Sequence, residues 1–282
     1  MAHFLPRGFG WLASAPDFRD FAPQSPQVTE WLRLLGGMDQ ETAAASSADL
    51  REYFLEVDDQ LELDASPAHA CIGLVQYFER RAHGRLLRPA RLFLHQNALR
   101  FSGATGVRGG VDLRTTLQAM VRCGIPPERF WPYEPQRCNE LPDAFLYSFD
   151  EPYRGIRYVR LDGRNSTGRE TLHRVKAFLA AGFPACFGCM VPSTLTADGQ
   201  IPYRPTFDSP LGGQALVAVG YDDRWLRGSR GALLVRSSWG ASWGESGYGW
   251  LPYAFVEEQL AVDFYTLLHP DWIGSGEFDA PF

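Results

Sequence analysis

A helical pattern of apolar residues begins at Ser66 and is the clearest local signal in the chain. Apolar side chains recur at helical spacing from Ala70 to Phe78, and Gly84 follows as a stop signal. The pattern therefore predicts a helix from Ser66 to about Arg81. The same spacing predicts further helices over residues 27–38, 88–100, 112–123 and 168–181.

The pattern changes after residue 183, where short apolar runs rich in β-branched and aromatic residues alternate with Gly, Pro and Asp. Such runs predict short strands joined by turns. They cover residues 184–191, 214–223, 231–240, 247–255 and 261–268. We therefore expect an α+β protein whose first half is mainly helical and whose second half forms an antiparallel sheet or barrel.

The order of these patterns predicts three parts of the chain. Residues 1–55 are interrupted by prolines and are expected to form an N-terminal extension that packs on the rest. Residues 56–270 form the main domain, with a mainly helical subdomain over 56–150 and a mainly β subdomain over 151–270. Residues 271–282 form a C-terminal tail.

The composition is that of an ordinary globular protein. Of the 282 residues, 45% are hydrophobic, which is enough for one large core or two joined smaller ones. The formal net charge of −6 argues against a nucleic-acid surface, because phosphate binding needs concentrated Lys and Arg. One Arg-rich run, "ERRAHGRLLRPARLF", fits either a solvated helix end or a site for an anionic partner.

Other features of the chain favour the cytoplasm. The stretch "MAHFLPRGFGWLASAPDFRDF" is interrupted by Pro, Arg and Asp, unlike a signal peptide, and no apolar stretch approaches the roughly 20 residues of a membrane helix. The five cysteines are an odd number without a dense framework, which favours reduced thiols. We expect a cytoplasmic protein with no membrane or nucleic-acid partner and no metal or cofactor.

Three blocks carry a family resemblance. In chain order they are "VDDQLELDASPAHACIGL", "GGQALVAVGYDD" and "LLVRSSWGASWGESGYGWLPYAF". They resemble the signature blocks of the papain-like cysteine peptidases, most specifically in Ser-Trp-Gly-x-x-Trp-Gly-x-x-Gly-Tyr at residues 238–248. The opening "GFGWLASAPDFRDF" resembles the bacterial branch with a short N-terminal extension. The resemblance covers about residues 8–268 and implies a helical subdomain and a β-barrel subdomain with a cleft between them.

The resemblance also shows what the chain lacks. The family uses a Cys thiolate at a helix N-terminus, a His that moves protons and an Asn that orients the His. Ser66, Gln214 and Ser237 stand at these three positions, while Gln60 stands at the retained oxyanion-hole position. Because an amide cannot take a proton from a hydroxyl, we expect no competent catalytic residue. The pair Ser66-Pro67 instead predicts a helix N-cap.

Other residues could supply chemistry in place of the triad. His69 lies three positions after Ser66 on the same helical face, as a packed histidine or an acid/base. Lys176 belongs to a polar helix face with no sequence link to the cleft. Cys186 and Cys189 form a C-x-x-C motif, but within an apolar strand, which favours a core role over zinc or redox use.

The remaining candidates concern binding. Gly109 and Gly110 fall at the family's Gly-rich cleft wall, where they would admit a peptide backbone, or they form a surface turn. Trp239 is expected to cover the former His/Asn pair and to line the leaving-group side of the cleft, with Trp243 behind it. Both tryptophans also fit a plain core role.

The sequence as a whole predicts a papain-fold pseudopeptidase that binds a peptide or protein partner in or near the former substrate cleft. Two alternatives remain. One is a non-thiol enzyme on the papain fold, of acyl transferase or cyclase type. The other is weak residual peptidase activity that uses Ser66.

Overall fold

The computed structural model describes residues 3–278, except residues 16, 19, 27–28, 31–44, 105–108, 164 and 226–230. The helix predicted over residues 27–38 falls almost entirely outside the described residues. The helices are α1 Ser66–His83, α2 Arg91–Ser102, α3 Leu113–Cys123, α4 Gly168–Ala180, α5 Ala254–Glu257 and α6 Pro270–Ile273. The strands are β1 Ser47–Asp49, β2 Arg157–Arg160, β3 Ala185–Pro192, β4 Pro210–Asp222, β5 Ala232–Arg236, β6 Tyr248–Pro252 and β7 Ala261–Leu268.

Helix α1 is the central helix of the first half. Nearly all of its side chains are buried, and it packs against α2, α3 and strand β4. The helix ends at Gly84, whose left-handed backbone (φ 66°) donates its N–H to the Arg80 carbonyl, as the Gly stop signal predicts. Because it is buried on all sides, α1 holds its first turn rigidly against the sheet.

The described strands form one seven-stranded antiparallel sheet. Its order is β2-β7-β3-β4-β5-β6, and β1 pairs with the far end of β4. The predicted α+β class is confirmed, with helices first and antiparallel strands in the second half. Strand β4 contacts both β3 and β5 and also packs on α1, so it is the element that joins the two halves.

Some predicted boundaries were wrong. The helix expected over 88–100 begins only at Arg91, because Pro89 bridges to Pro127 and the Ala90 N–H donates to the Pro126 carbonyl. The strand expected over 247–255 ends at Pro252 and is followed by helix α5.

The N-terminal segment, residues 3–14, lies between the helical half and the sheet, and we call it the strap. It begins beside the loop after β3, where His3 bridges to Thr196. It then passes the start of α1, and its Trp11 lies between Val111 on the helical side and Gly213 on β4. The strap ends at Ser14, whose N–H and hydroxyl both donate to the Asp263 carboxylate at 2.8 and 2.9 Å.

A buried ion cluster fixes the end of the strap. Arg160 pairs with Asp162 at 3.1 Å and with Asp263 at 2.7 Å, and burial raises the pKa of Asp162. A cavity of about 330 Å³ opens beside this cluster. Within the part of the chain that the structure describes, no helix is long and apolar enough to cross a membrane.

Candidate functional site

Ser66 is the first residue of α1 and is fully buried. Its hydroxyl oxygen accepts a 3.0 Å hydrogen bond from the backbone N–H of Ala215 on β4. The predicted role of Ser66 as N-cap was wrong, because Ala65 holds that position and no side chain caps the helix. The tertiary partner on β4 replaces the local one, so Ser66 joins α1 to the sheet.

Gln60 lies at the centre of the polar site and is 1% exposed. Its side-chain Nε2 donates to the carbonyl oxygens of Phe9 at 2.9 Å and Leu63 at 2.8 Å. Its Oε1 accepts from the Gln214 amide at 2.9 Å and from the Ser238 hydroxyl at 2.6 Å. Four hydrogen bonds therefore fix the orientation of the Gln60 amide.

Gln214 on β4 stands at the position that the family resemblance assigns to the catalytic His. Its Nε2 donates to Gln60 and also to the Ser238 hydroxyl at 3.0 Å. Its Oε1 is buried and has no hydrogen-bond partner among the described residues. The hydrogen bonds of Gln214 thus join it to Gln60 and Ser238 rather than to Ser66. Ser238 is a site residue that the sequence interpretation missed, although it follows Ser237 directly.

Ser237 does not join this network. Its hydroxyl donates to the Gly247 carbonyl at 2.9 Å and accepts from the Trp239 N–H at 3.3 Å. Both bonds stabilise the turn after β5. Ser237 therefore has no hydrogen bond to the Gln214 side chain, and the His–Asn relationship of the family has no counterpart in the described contacts.

Trp239 and Trp243 form one wall of the site. Their rings meet edge to face with centroids 4.7 Å apart, and both are buried. The ring of Phe4 from the strap packs on Trp239 with a centroid distance of 5.7 Å. Trp239, which the sequence analysis placed on the leaving-group side of the cleft, is therefore in contact with the chain's own strap.

His69 is packed rather than poised for proton transfer. Its Nδ1 bonds to the Ala65 carbonyl at 3.0 Å, and its ring meets Tyr133 edge to face at 5.1 Å. Burial, together with the nearby Arg91 charge, holds the pKa of His69 well below its usual range. No hydrogen bond links the imidazole to Ser66 in the described contacts.

The other candidate bases and nucleophiles are also occupied or buried. Lys176 forms an ion pair with Asp223 at 2.6 Å, away from the cleft. Cys186 and Cys189 are both buried in β3, and burial raises the pKa of the Cys189 thiol. In the described part of the chain, no group of three or more His, Cys, Asp and Glu side chains is arranged to hold a metal ion.

The strap places a peptide carbonyl at the position that the family resemblance assigns to the oxyanion hole. The carbonyl oxygen of Phe9 accepts from Gln60 Nε2 at 2.9 Å and from the backbone N–H of Ser66 at 3.4 Å. These are the two donors that the family resemblance assigns to an oxyanion. The Phe9 N–H in turn donates to the Asp64 carboxylate at 3.0 Å. The cleft is therefore filled by the chain's own backbone.

Backbone hydrogen bonds hold the strap on both sides of the cleft. The Val111 N–H donates to the Gly10 carbonyl at 2.8 Å, the Leu12 N–H donates to the Val111 carbonyl at 3.4 Å, and Trp11 and Val111 pair in parallel. Across the cleft, the Trp11 N–H donates to the Gly213 carbonyl at 3.0 Å. The strap is thus an extended segment that is hydrogen-bonded to both halves through isolated bridges.

Of the two predicted wall glycines, Gly110 is the one beside the strap. A methyl group on Gly110 would lie 2.9 Å from the Gly10 carbonyl oxygen and 2.9 Å from Cγ of Leu12. A methyl group on Gly109 would instead meet Leu99 on α2 at 3.4 Å, an ordinary contact. The occupant was missed by sequence reasoning, although the alternation Gly8-Phe9-Gly10-Trp11 is a signal for a closely packed backbone.

Comparisons with known proteins agree with the predicted family and fold. The chain is 26% identical over 276 residues to an uncharacterised peptidase C1-like protein of Acanthamoeba polyphaga mimivirus, covering 93% of this chain and 87% of the relative. Its fold is similar to that of xylellain, a cysteine protease from Xylella fastidiosa, with a TM-score of 0.74 and 25% identity over 93% of this chain and 96% of that one. No protein-family model matches the chain.

More distant solved structures share the fold. Procathepsin B S9 from Trypanosoma congolense matches with a TM-score of 0.65 and 18% identity, covering 93% of this chain and 86% of that one. Digestive procathepsin L 3 from Tenebrio molitor larval midgut matches with a TM-score of 0.59 and 19% identity, covering 92% and 75%.

Proposed function

Because the chain is a homologue of the papain-like cysteine peptidases, we propose that it is a catalytically inactive form of that fold, a pseudopeptidase that binds an extended peptide in the former substrate cleft. The strap is the peptide that fills the cleft within the chain itself, and an external partner binds by replacing it. The observation that carries the proposal is the Phe9 carbonyl, which accepts hydrogen bonds from both Gln60 and the Ser66 N–H.

The polar contacts around Ser66 support the absence of hydrolysis. A serine hydroxyl attacks a carbonyl only when a neighbouring base accepts its proton. The Ser66 oxygen accepts from Ala215, while the Gln214 amide is bonded to Gln60 and Ser238. In serine peptidases, loss of the base costs on the order of a millionfold in rate. A rate this low is compatible with a peptide that remains intact in the cleft.

The direction of the strap also fits a bound peptide rather than a substrate. The strap runs from Phe4, beside Trp239, to Trp11, beside Val111 and Gly213. If Trp239 lines the leaving-group side, as the family resemblance implies, a substrate would run the other way. The bond after Phe9 is therefore presented in the wrong direction for acyl transfer, although its carbonyl occupies the oxyanion hole.

A partner that replaces the strap has to compete with a segment tethered to the same chain. A tethered segment has an effective concentration on the order of millimolar, so a free peptide at micromolar concentration competes only when its affinity is higher or when the strap is weakened. Gly10 offers a way to weaken the strap alone. Its φ of +118° and a distance of 2.1 Å between an added methyl group and the Asp64 carbonyl oxygen make any side chain there incompatible with docking.

The proposal is tested with the full chain and its Gly10→Ala variant. Release of the strap is measured by limited trypsin digestion, because Arg7 is exposed within it and cleavage after Arg7 removes a defined fragment. Gly274→Ala is the matched control, since Gly274 has ordinary right-handed helical geometry (φ −73°) at the end of α6. We expect Gly10→Ala to be cleaved after Arg7 at least tenfold faster than either the native chain or the control.

Binding and hydrolysis are then measured on the released form. A fluorescent peptide with the sequence of residues 3–14 is expected to bind Gly10→Ala and not the native chain at micromolar concentration. No cleavage of a broad peptide library is expected from either protein. Cleavage by Gly10→Ala that is abolished by adding Ser66→Ala would overturn the proposal and favour residual peptidase or acyl-transfer chemistry. Failure of a released cleft to bind the peptide would overturn the binding role.

A further inference from the structure

The wall of the cleft opposite α1 is built from glycines where the strap places aromatic rings. A methyl group on Gly188 would lie 1.7 Å from Cε2 of Trp11, and one on Gly213 would lie 2.8 Å from Cε3 of the same ring. Distances under 3 Å cannot be accommodated without moving the indole. Strands β3 and β4 thus leave a slot for one large flat side chain, and Trp11 fills it.

The neighbouring position holds a second ring in the same way. A methyl group on Gly212 would lie 2.8 Å from Cγ and 3.0 Å from both Cδ atoms of Phe9. The residue at this position of β4 therefore sets the room for the side chain whose carbonyl occupies the oxyanion hole. The wall glycines thus form two adjacent sites for aromatic rings. The strap residues that fill these sites, Phe9 and Trp11, are separated by one residue.

That intervening residue has to be glycine. Gly10 has a left-handed φ of +118°, and an added methyl group would lie 2.1 Å from the carbonyl oxygen of Asp64. Gly8, on the other side of Phe9, would bring a methyl group within 2.6 Å of the Leu63 carbonyl oxygen. The loop before α1 thus approaches the strap too closely for any side chain at these two positions.

The indole of Trp11 leaves one polar atom without a partner. Its Nε1 is buried and has no hydrogen-bond acceptor among the described residues. A buried donor without an acceptor weakens binding, because it gives up its hydrogen bonds to water. A bicyclic side chain that lacks the N–H fills the same slot without this loss, so the strap is not the tightest ligand that the cleft can take.

From this complementarity we infer that the cleft selects peptides with a Gly-aromatic-Gly-aromatic core, in which the second aromatic side chain is bicyclic and enters the slot formed by Gly188 and Gly213. The inference rests on the proposed binding function and names its ligand class: an extended peptide or protein segment that matches residues 8–11 of the strap. Specificity comes from the glycines of the wall and from the close approach of the loop before α1.

The test uses peptides that compete with the labelled strap peptide for the Gly10→Ala protein. We expect the unchanged sequence to bind, and alanine in place of the glycine that matches Gly10, or of the aromatic residue that matches Trp11, to weaken binding at least tenfold. A naphthylalanine in place of that tryptophan is expected to bind about tenfold tighter, because it lacks the orphaned N–H. A scrambled peptide of the same composition is the control.

A variant of the wall tests the same inference from the protein side. Gly212→Ala in the Gly10→Ala background is expected to weaken the peptide at least tenfold, with Gly274→Ala in the same background as the control. The Phe9 ring is only half-buried, so this change disturbs the fold less than one at Gly188. Circular dichroism and thermal unfolding establish that the variants are folded.

The outcomes separate the two proposals. If a folded, strap-released protein binds the native peptide, its glycine variants and the scrambled peptide equally, the peptide-binding function stands and the motif is overturned. If no peptide binds although trypsin shows that the strap is released, the binding function itself fails. If Gly212→Ala is folded and binds as tightly as its control, the glycine wall does not select the ligand.

Discussion

The hydroxyl oxygen of Ser66 accepts a 3.0 Å hydrogen bond from the backbone N–H of Ala215, so the residue at the nucleophile position joins helix α1 to strand β4. Both residues are buried. The position that a peptidase of this fold uses for chemistry is here part of the contact between the two halves of the molecule.

This contact predicts a loss of stability when Ser66 is shortened. Ser66→Ala leaves the buried Ala215 N–H without its acceptor, which is expected to lower the free energy of unfolding by about 1–3 kcal/mol. Urea unfolding followed by tryptophan fluorescence measures the change. Ser148→Ala, on an exposed 3-10 helix, is the control and is expected to change stability by less than about 0.5 kcal/mol. Equal stability of the two variants would contradict the structural role of Ser66.

The sequence predicted most of the frame that holds this site. Helix α1 and its Gly84 stop follow from local signals, and the strands of the second half follow from short apolar runs between turns. The resemblance predicted Gln60 as the oxyanion-hole position, and in the structure its Nε2 donates to the Phe9 carbonyl. These features depend on local patterns or on motif spacing, which a single sequence carries.

Contacts between distant parts of the chain were not predictable in the same way. Ser66-Pro67 has the local chemistry of a helix start, but an acceptor role toward a residue 149 positions away replaces the capping role. The strap depends on the fit between Gly10, the Asp64 carbonyl and the wall glycine Gly213. Each glycine alone fits a turn equally well, and only the folded structure shows that they face one another.

The orientation of the Gln60 amide predicts that docking of the strap depends on pH in the Gln60→Glu variant. A carboxylate keeps the acceptors for Gln214 and Ser238 but repels the Phe9 and Leu63 carbonyls, whereas the protonated acid can still donate to one of them. The measured quantity is the rate of trypsin cleavage after Arg7 in the variant, divided by the rate in the native chain at the same pH. We expect this ratio to rise at least tenfold between pH 5 and pH 8.

The control for this variant is Gln76→Glu. Gln76 is also a buried glutamine whose amide donates to a carbonyl, that of Leu87 at 3.0 Å, but it lies away from the strap. The rate of cleavage after Arg7 in Gln76→Glu is expected to equal that of the native chain at every pH. A Gln60→Glu protein whose strap is equally protected at pH 5 and pH 8 would show that the oxyanion-hole contact does not hold the strap.

Restoring the family triad predicts reactivity only when the strap is released. Ser66→Cys, Gln214→His and Ser237→Asn together supply a thiol, a base and an orienting amide. With the Phe9 carbonyl still in the oxyanion hole, we expect slow labelling by a thiol-directed epoxide. Adding Gly10→Ala is expected to raise the labelling rate at least tenfold. Mass spectrometry locates the label, and Ser66→Cys with Gly10→Ala is the control that lacks the base.

The result distinguishes two states of the cleft. Rapid labelling of the triple variant without Gly10→Ala would mean that the strap does not protect position 66. Absence of labelling in a folded variant that carries all four substitutions would mean that the cleft has rearranged, so that the thiol at position 66 cannot react. Only the pattern in which Gly10→Ala controls the rate agrees with a strap that covers an otherwise intact site.

Burial of His95 predicts a loss of folding stability in mild acid. Burial lowers the pKa of His95 to about 4, while an unfolded histidine has a pKa of about 6.5. Above pH 6.5 the residue is neutral in both states and its contribution to stability is fully present. As the pH falls from 6.5 toward 4, the unfolded chain binds the proton first, so stability decreases by about 1.4 kcal/mol per pH unit and by roughly 3 kcal/mol in all.

The measurement is the difference in unfolding free energy between the native chain and His95→Leu from pH 7 to pH 4. His95 Nε2 is buried and has no hydrogen-bond partner among the described residues, so leucine removes the titration together with a buried nitrogen that has no partner. The native chain is expected to lose about 3 kcal/mol more than the variant over this range. Leu86→Ala, at an exposed position that carries no titratable group, is the control, and it should show the native pH dependence. If the unfolding free energies of His95→Leu and the native chain change equally with pH, His95 binds its proton as readily in the folded protein as in the unfolded chain. Burial would then not oppose the charged form of the imidazole.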